Sequence, residues 1–264
     1  MQIELLHRIL SAELNPHKSR ELGEVLDSYP IETLEQLLEL PFLDAINRER
    51  LKSANLDLLN EYLKKGGTIL GRDEFPATIA EIPHPPLGLY TWGNPEVLEQ
   101  PTIAIVGTRR ASGYGKAVAR KFAQDFARAG VCVVSGGAGG IDAAAHEGAL
   151  EEGTTAAVLF TSVDDVYPRH HGGLFQRIRQ SGVLVSHFPL GMKGSFPGRP
   201  LARNRIIAAL SQAVLVVEAP ERSGALSTAT EAAELGRPVF VVPGMIDNFN
   251  FIGSHQLIRE GAIF

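Results

Sequence analysis

Strand-like and helix-like patterns alternate along the chain from residue 102 onward. The strand-like segments are apolar at successive positions rather than at every second position, which indicates strands covered on both faces. Helical stretches separate them, so neighbouring strands are expected to run parallel. The pattern therefore predicts an α/β fold with a doubly wound, mostly parallel Rossmann-like sheet. The six predicted strands are residues 102–106, 131–134, 155–160, 183–186, 213–217 and 238–242.

The first 66 residues have a helical period instead. Apolar side chains within residues 5–10 fall on one helical face. Asn15 followed by Pro16 is typical of a helix start, because the Asn side chain caps free N–H groups and the first helical position needs no N–H. A last helix is predicted over residues 56–65, ended by Gly66 and Gly67. We therefore predict a small all-helical domain over residues 1–66.

Six prolines between residues 67 and 101 exclude a long helix from this stretch, because proline lacks the N–H and clashes with the preceding turn. Extended segments and turns are expected there. Residues 87–93 are predicted to form an edge strand, in which Tyr90 and Trp92 pack against neighbours rather than stack on a base. The second domain is predicted over residues 67–264, with residues 67–101 as its proline-rich extension.

The net charge of the chain is -5, but it is unevenly distributed. Residues 1–100 hold 9 Lys and Arg against 17 Asp and Glu, which is a net charge of -8. Residues 101–264 hold 16 against 13, which is a net charge of +3. The second part of the chain is therefore the one suited to an anionic ligand.

The only cysteine, Cys132, lies within a predicted strand, so no internal disulfide can form and the residue is interpreted as part of the core. The sequence does not begin like a signal peptide, and no segment is apolar over the ~18 residues that a membrane span needs. We therefore expect no membrane contact and a cytoplasmic location.

Loops that follow parallel strands meet at one edge of the sheet, where doubly wound folds bind their ligands. Two of these loops, residues 107–115 and 136–140, are rich in glycine and would expose backbone N–H groups at helix N-termini. The loops also carry eight cations against two acids, Glu218 and Glu221. Such an edge is expected to be strongly positive and to hold phosphate. The cations are Arg109, Arg110, Arg169, Lys193, Arg199, Arg203, Arg205 and Arg222.

Neither glycine loop has the spacing of a nucleotide-cofactor motif. The spacing G-x-G-x-x-G with a later acid for the ribose is missing, and so is G-x-x-x-x-G-K-[ST]. The sequence therefore disfavours NAD binding and ATP hydrolysis, and we predict no cofactor. Asp142 and His146 share a helical face, but no third metal ligand stands at useful spacing, so we interpret both as structural residues and predict no metal site.

Two alternatives stay open on the residues alone. The segment from Ser223-Gly224 through Thr228 to Glu231 loosely resembles the turn of lysine-decarboxylase-like phosphoribohydrolases, which favours an enzyme acting on nucleotides. In those proteins a proline-glycine pair precedes the turn, whereas Pro243-Gly244 follows it here. The acidic helical region would alternatively suit a protein-interaction scaffold.

Read together, these motifs resemble the DNA-processing protein A (DprA/Smf) family over about residues 67–264. The helices of residues 1–66 are compatible with the sterile-alpha-motif-like (SAM-like) domain that many members of this family carry. The segments that carry the resemblance are Phe75-Pro76, Leu89-Tyr90 with Gly93-Asn94, residues 105–109, 134–136, 140–142, Ala145-His146, and residues 166–168, 203–208, 216–219, 222–225 and 239–244.

The resemblance implies a protein that is not an enzyme. It implies a single-stranded DNA-binding recombination mediator that protects incoming DNA in natural transformation and helps to load RecA recombinase. It also implies a homodimer, with Leu257 and Ile258 as candidate interface residues. Such DNA binding is expected to tolerate sequence changes and to depend steeply on salt.

The same resemblance implies DNA contacts at individual positions. Arg109 would grip a phosphate, residues 135–137 would offer backbone donors, and Arg203 with Asn204 would contact backbone or base. Charge and position add Arg110, Lys193 and Arg199. The predicted DNA-binding residues are Gly107, Thr108, Arg109, Arg110, Ser135, Gly136, Gly137, Lys193, Phe196, Arg199, Arg203, Asn204, Ser223 and Gly224.

Three features depart from the pattern of the family. Residues 137–139 read Gly-Ala-Gly where relatives often have a leucine and a basic residue, so we expect one cation fewer in the site. His255 stands where asparagine is usual, which puts the hydrogen bonds of that turn in doubt. The sequence stops at Phe264, before the winged-helix domain that many members carry, either naturally or by truncation.

Overall fold

A central β-sheet organises the computed structural model, which describes residues 1–192 and 198–264. Its strands are short because each spans only the apolar segment between two turns. The strands are β1 (Gly67–Leu70), β2 (Leu89–Gly93), β3 (Thr102–Val106), β4 (Cys132–Ser135), β5 (Thr155–Val158), β6 (Val183–Ser186), β7 (Ala213–Val216) and β8 (Val239–Val241).

The strands lie side by side in the order β1-β2-β6-β5-β4-β3-β7-β8. Strands β3 to β8 all run parallel, whereas β2 pairs antiparallel with both β1 and β6. The chain moves outward from β3 to β6 on one side and then returns to place β7 and β8 on the other side of β3. The doubly wound, mostly parallel Rossmann-like sheet is therefore confirmed.

All six strands predicted beyond residue 101 are present, with ends within two residues of the prediction. The prediction that residues 87–93 form an edge strand was wrong, because β1 covers β2 and places Ile69 opposite Tyr90. Strand β1 has only four residues and depends on pairing with β2, so no local pattern reveals it. Tyr90 is fully buried, and the Arg179 guanidinium lies 3.6 Å from the Trp92 ring centroid, so both aromatic side chains are packed.

Six of the twelve helices within the described residues begin after a residue whose side chain caps the first turn. The Asn15 side chain accepts a hydrogen bond from the backbone of Lys18, and Ser112 does the same for Gly115. None of the helices within residues 1–192 and 198–264 combines the length and apolarity needed to cross a bilayer. The helices are α1 (Ile3–Ser11), α2 (Pro16–Ser28), α3 (Leu34–Leu38), α4 (Ala45–Lys52), α5 (Leu56–Lys64), α6 (Ala77–Ala80), α7 (Gly113–Arg128), α8 (Ile141–Glu152), α9 (Gly172–Ser181), α10 (Arg199–Ala209), α11 (Gly224–Glu234) and α12 (Ile252–Arg259).

Both faces of the sheet are buried, as the continuous apolar runs predict. Along β3, Ile103 and Ile105 pack in one core with residues of α7 and α8. Ala104 and Val106 point the other way and pack in a second core with residues of α10 and α11. Cys132 is buried in that second core as a free thiol. The interpretation of Cys132 as a core residue is confirmed.

Helices α1 to α5 share a core with the sheet. Leu6 and Leu22 are buried in the same cluster as Tyr90 and Leu184. The Nδ1 atom of His7 lies 2.9 Å from the Tyr90 hydroxyl, so a polar contact also joins α1 to β2. The helical content predicted for residues 1–66 is present, whereas a domain boundary at residue 66 stays a prediction.

Candidate functional site

A cavity of about 360 Å³ opens at the carboxyl ends of β3 and β7. These two strands are neighbours, yet the chain leaves them toward opposite sides of the sheet. Doubly wound sheets bind their ligands at this kind of switch point. The walls of the cavity come from four separate segments of the chain, within residues 106–110, 138–142, 200–207 and 220–228.

Arginine dominates the charge of this cavity. Arg109, Arg110 and Arg222 line it and are exposed to solvent, while Arg203 lines it from a buried position. Asp142 is the acid that the lining contains. The guanidinium group forms bidentate hydrogen bonds with phosphate and stacks on planar groups. The cavity therefore suits a ligand that carries phosphate.

The two glycine loops predicted to meet at this edge are in direct contact. The backbone N–H of Ile141 donates to the Thr108 carbonyl at 3.2 Å. Gly140 has a φ of 77°, and a Cβ atom at this position would lie only 2.2 Å from the Thr108 oxygen. Glycine is thus required at position 140 for both its backbone conformation and the close approach. This contact fixes the loop that carries Arg109.

Arg203 is only 5 % exposed and is held by the loops behind the cavity. Its guanidinium donates to the carbonyls of Gly136 at 2.6 Å and Val158 at 3.0 Å, and to the Asn204 side chain at 3.2 Å. Burial lowers the pKa of Arg203 to about 10, and the charge of Asp142 opposes that shift. Burial likewise raises the pKa of Asp142, while the charge of Arg203 acts against it. Arg203 therefore organises the site from behind its surface.

Glu218 follows β7 and is fully buried, whereas the sequence analysis counted it only as one of two acids in the strand-end loops. Both carboxylate oxygens lie 3.2 Å from the backbone N–H of Ser112, and the Ser112 hydroxyl donates at 2.9 Å. The Asn250 side-chain amide also donates to this carboxylate. The main-chain oxygen of Glu218 accepts from the N–H of Thr108 at 2.7 Å. Glu218 is therefore an internal partner of the arginine loop.

Most of the predicted DNA-binding residues come together around the cavity. They arise from the loops after β3 and β7 and from α10, which lie far apart in the sequence. The predicted residues in the lining are Gly107, Thr108, Arg109, Arg110, Arg203, Asn204, Ser223 and Gly224.

The other predicted contacts are placed differently. Ser135 is fully buried and its hydroxyl donates to the Ile105 carbonyl at 2.6 Å. Gly136 supports Arg203, and the carbonyl of Gly137 lies 3.2 Å from His171 Nδ1. These three residues stand behind the lining, and their contact with DNA stays a prediction. Lys193 and Phe196 lie outside the described residues, while Arg199 starts α10 and its guanidinium lies 5.4 Å from the Phe188 ring centroid.

Three of the eight cations predicted for this edge are described but do not line the cavity, namely Arg169, Arg199 and Arg205. Arg205 pairs with Glu231 at 3.2 Å and donates to the Pro83 carbonyl at 2.9 Å, so it belongs to a different surface. Arg169 is exposed after β5, away from the lining residues. Glu231, which the nucleotide-enzyme alternative would use, is the partner of Arg205 and also stands outside the lining.

Several lining residues were missed because their side chains carry no chemical signal. Arg222 was predicted as a cation of this edge but not as a contact, although its position directly after β7 would have justified it. Ala138 contributes a neutral wall in the glycine segment that departs from the family pattern. His255 Nε2 lies 3.1 Å from the Gly244 carbonyl, so a hydrogen bond to that turn is present. The other missed lining residues are Val106, Asp142, Pro200, Ile207, Pro220, Ala225 and Thr228.

His146 has the structural role predicted for it. The residue is fully buried, and its Nδ1 atom lies 2.7 Å from the Thr155 hydroxyl. Burial lowers the pKa of His146 to about 3, and the nearby charges of His171 and Arg203 act in the same direction. The folded protein therefore keeps His146 neutral at pH values where an unfolded chain protonates it.

This histidine is expected to make the fold sensitive to mild acid. Between the unfolded pKa of about 6.5 and the folded pKa, the unfolded state binds the additional proton, so the free energy of unfolding falls as the pH falls. His146 alone should remove about 2 kcal/mol between pH 7 and pH 5. Urea titrations at both pH values should show a smaller loss in His146→Gln than in the wild type. The exposed control His170→Gln should lose as much as the wild type, and equal losses in all three proteins would contradict the prediction.

An arginine-lined cavity at the switch point of a Rossmann-like sheet defines a class of proteins that bind phosphate-bearing ligands. The family described as DNA recombination-mediator protein A matches residues 67–264. The chain belongs to this family.

Curated relatives support the same assignment. Protein Smf of Synechocystis sp. PCC 6803 is 42% identical over 214 residues, which cover 77% of this chain and 53% of the relative. DNA processing protein DprA of Streptococcus pneumoniae is 41% identical over 194 residues, which cover 72% of this chain and 67% of the relative. The chain spans about half the length of the first of these relatives.

Two solved structures share the fold. The X-ray structure of DNA processing protein A from Streptococcus pneumoniae matches with a TM-score of 0.87 at 30% identity, over 100% of this chain and 94% of that one. DNA processing protein A from Helicobacter pylori matches with a TM-score of 0.69 at 32% identity, over 75% of this chain and 89% of that one. The Helicobacter pylori protein has a described single-stranded DNA binding mode.

Proposed function

We propose that this chain binds single-stranded DNA in the cavity at the ends of β3 and β7. The observation that carries the proposal is the convergence of Arg109, Arg110 and Arg222, all exposed, on one cavity. The single-stranded DNA binding mode of the Helicobacter pylori relative supports it. Guanidinium groups contact the phosphates of any sequence, so recognition of the backbone is expected to dominate over recognition of bases.

The wider role follows from membership of the family. The chain is proposed to act in the cytoplasm as a recombination mediator rather than as an enzyme, protecting incoming DNA in natural transformation and helping to load RecA recombinase. Glu231 pairs with Arg205 away from the cavity, which favours this role over nucleotide hydrolysis. Residues 1–66 are proposed as a SAM-like helical domain and residues 67–264 as the DNA-binding domain.

A quantitative comparison of single-stranded and duplex DNA tests the central proposal. A labelled oligonucleotide of mixed sequence should bind at least about tenfold more tightly as a single strand than as a duplex. The logarithm of Kd should rise linearly with the logarithm of salt concentration, with a slope of about 2 if three arginines each neutralise one phosphate. Equal affinity for both forms, or an affinity that does not respond to salt, would contradict the proposal.

We also propose a homodimer that uses the surface near α12. Leu257 and Ile258 are half-buried there and pack against the core, while Ile263 and Phe264 beyond them are 50% and 82% exposed. Leu257 also lines a groove of about 620 Å³ beside β8, together with Ile263. An apolar surface next to an edge strand is suited to association.

Substitution of Leu257 by aspartate should separate the dimer, because a charge in an apolar interface lacks a partner. Sedimentation at micromolar concentration should give twice the 28.5 kDa chain mass for the wild type and the single chain mass for Leu257→Asp. Since Leu257 touches the core, circular dichroism must show that the variant is folded. Tyr29→Asp, at an exposed position far from Leu257 in the sequence, serves as the control and should stay dimeric. A wild type that sediments as a monomer would refute the dimer.

A further inference from the structure

The carboxylate of Glu218 lies where phosphate-binding folds place their ligand. It sits at the N-terminus of α7, a helix of 16 residues that follows β3, the first strand of the parallel set. In Rossmann-like folds the helix after the first strand directs its free N–H groups and its positive dipole end toward a phosphate. Here the N–H of Ser112, the cap of that helix, donates to both oxygens of Glu218 at 3.2 Å.

The surroundings of this carboxylate are built to hold an anion. Its donors are the Ser112 N–H, the Ser112 hydroxyl at 2.9 Å and the Asn250 amide. The Ser112 hydroxyl in turn accepts from the Gly115 N–H at 3.0 Å, which orients its proton toward Glu218. A Cβ atom on Gly115 would lie 1.9 Å from a Glu218 oxygen, so the missing side chain makes the space that the carboxylate fills. Buried charge needs this degree of compensation.

Glu218 also holds both ends of the loop that carries the arginines. Its main-chain oxygen accepts from the N–H of Thr108 at 2.7 Å, and its side chain accepts from Ser112. Arg109 and Arg110 lie between these two anchor points. Glu218, which follows β7 across the switch point, therefore holds both ends of this loop in place.

We propose that Glu218 is an internal substitute for a ligand phosphate. Its carboxylate fills the anion position at the N-terminus of α7 and, by doing so, positions Arg109 and Arg110 toward the cavity. The phosphate position that a mononucleotide would use is then closed, and ligand phosphates meet arginine side chains instead of backbone N–H groups. Glu218 is a positioning residue, and its effect on DNA rests on the proposed function, whereas its role as an internal anion does not.

Chemical rescue by a small carboxylate tests this assignment on the full chain. Glu218→Ala removes the carboxylate and leaves a space lined by its donors, and sodium formate should enter that space. The variant should lose about 5 °C in melting temperature and bind a single-stranded oligonucleotide about tenfold more weakly. About 0.2 M formate should restore roughly half of both losses relative to sodium chloride at the same ionic strength. Glu218→Gln is the matched control, because its side chain fills the space and excludes formate.

The melting temperature tests whether Glu218 acts as an internal anion, and the DNA affinity tests whether it positions the arginines. Formate rescue of the melting temperature in Glu218→Ala, without rescue in Glu218→Gln or in the wild type, supports the internal anion even if the wild type does not bind DNA. If Glu218→Ala does not accumulate as folded protein, the yield of refolded protein in formate against chloride replaces the melting temperature. Formate and chloride acting alike on Glu218→Ala would overturn the proposal. Rescue of stability without any rescue of DNA affinity would overturn the positioning of the arginines.

Discussion

Replacement of Arg109 by glutamate is expected to weaken the binding of a single-stranded oligonucleotide by about 100-fold at low salt. The side chain is exposed and lines the cavity beside Arg110 and Arg222. Charge reversal removes one attraction to phosphate and adds one repulsion, so the slope of log Kd against log salt should fall by about 1.4, which is two charges at ~0.7 each for a single strand. Arg109→Ala should have about half this effect on the binding free energy. Fluorescence anisotropy at several salt concentrations measures both quantities.

Arg128→Glu, at the far end of α7, is the matched control for Arg109→Glu. Arg128 is the last residue of α7, the helix that begins directly after the arginine loop, and its exposed guanidinium pairs with Glu152 at 2.8 Å. A helix of this length separates its ends by about 24 Å. Arg128→Glu should therefore leave affinity and salt slope unchanged. If Arg109→Glu and Arg128→Glu weaken binding equally, total charge rather than the cavity governs the interaction.

Substitution of Arg203 by alanine is expected to lower the free energy of unfolding by about 3–5 kcal/mol. Its guanidinium is almost completely buried and donates to the carbonyls of Gly136 and Val158. Without it, both carbonyls and the buried carboxyl of Asp142 lose their compensating charge. Denaturant titration followed by circular dichroism should show an earlier midpoint at an unchanged slope.

Arg205, the next arginine along the chain, provides the comparison for this stability effect. Arg205 stands on the same helix, but it is partly exposed and pairs with Glu231. Arg205→Ala should cost less than about 1 kcal/mol, because surface ion pairs contribute little. Equal costs for the two substitutions would show that Arg203 is not the structural arginine described here.

The directions of these two arginine side chains could not be predicted from the sequence. The Arg-Asn-Arg segment was predicted to supply cations to one edge of the sheet, and both arginines were counted there. Residues two apart on a helix lie about 200° apart around its axis, so Arg203 and Arg205 cannot share one direction. Only packing decides which of them turns inward. The prediction therefore holds for Arg203, which lines the cavity, and was wrong for Arg205, which pairs with Glu231 on a different surface.

The backbone architecture was easier to predict than the side chains. A continuous apolar run such as residues 102–106 indicates a strand that is buried on both faces of the sheet. The order of the strands then fixes where the loops that follow them meet. Arg109 could be placed at the ligand-binding edge of the sheet for this reason, whereas the switch point itself is known only from the strand order. Strand β1 had no such signal, because its place depends on pairing with β2. Glu218 looked like a loop acid, and only tertiary contacts to Ser112 reveal it as a core residue.

The contact between α1 and the sheet limits how this protein can be dissected. Tyr90, Ile69 and Leu184 point toward the N-terminal helices and are covered by them. A fragment that begins at residue 67 would expose these side chains to water as one contiguous apolar patch and would be prone to aggregation. The contribution of the helices is better probed by altering positions that already face water, such as Tyr29 and Ile46, which are 71% and 66% exposed.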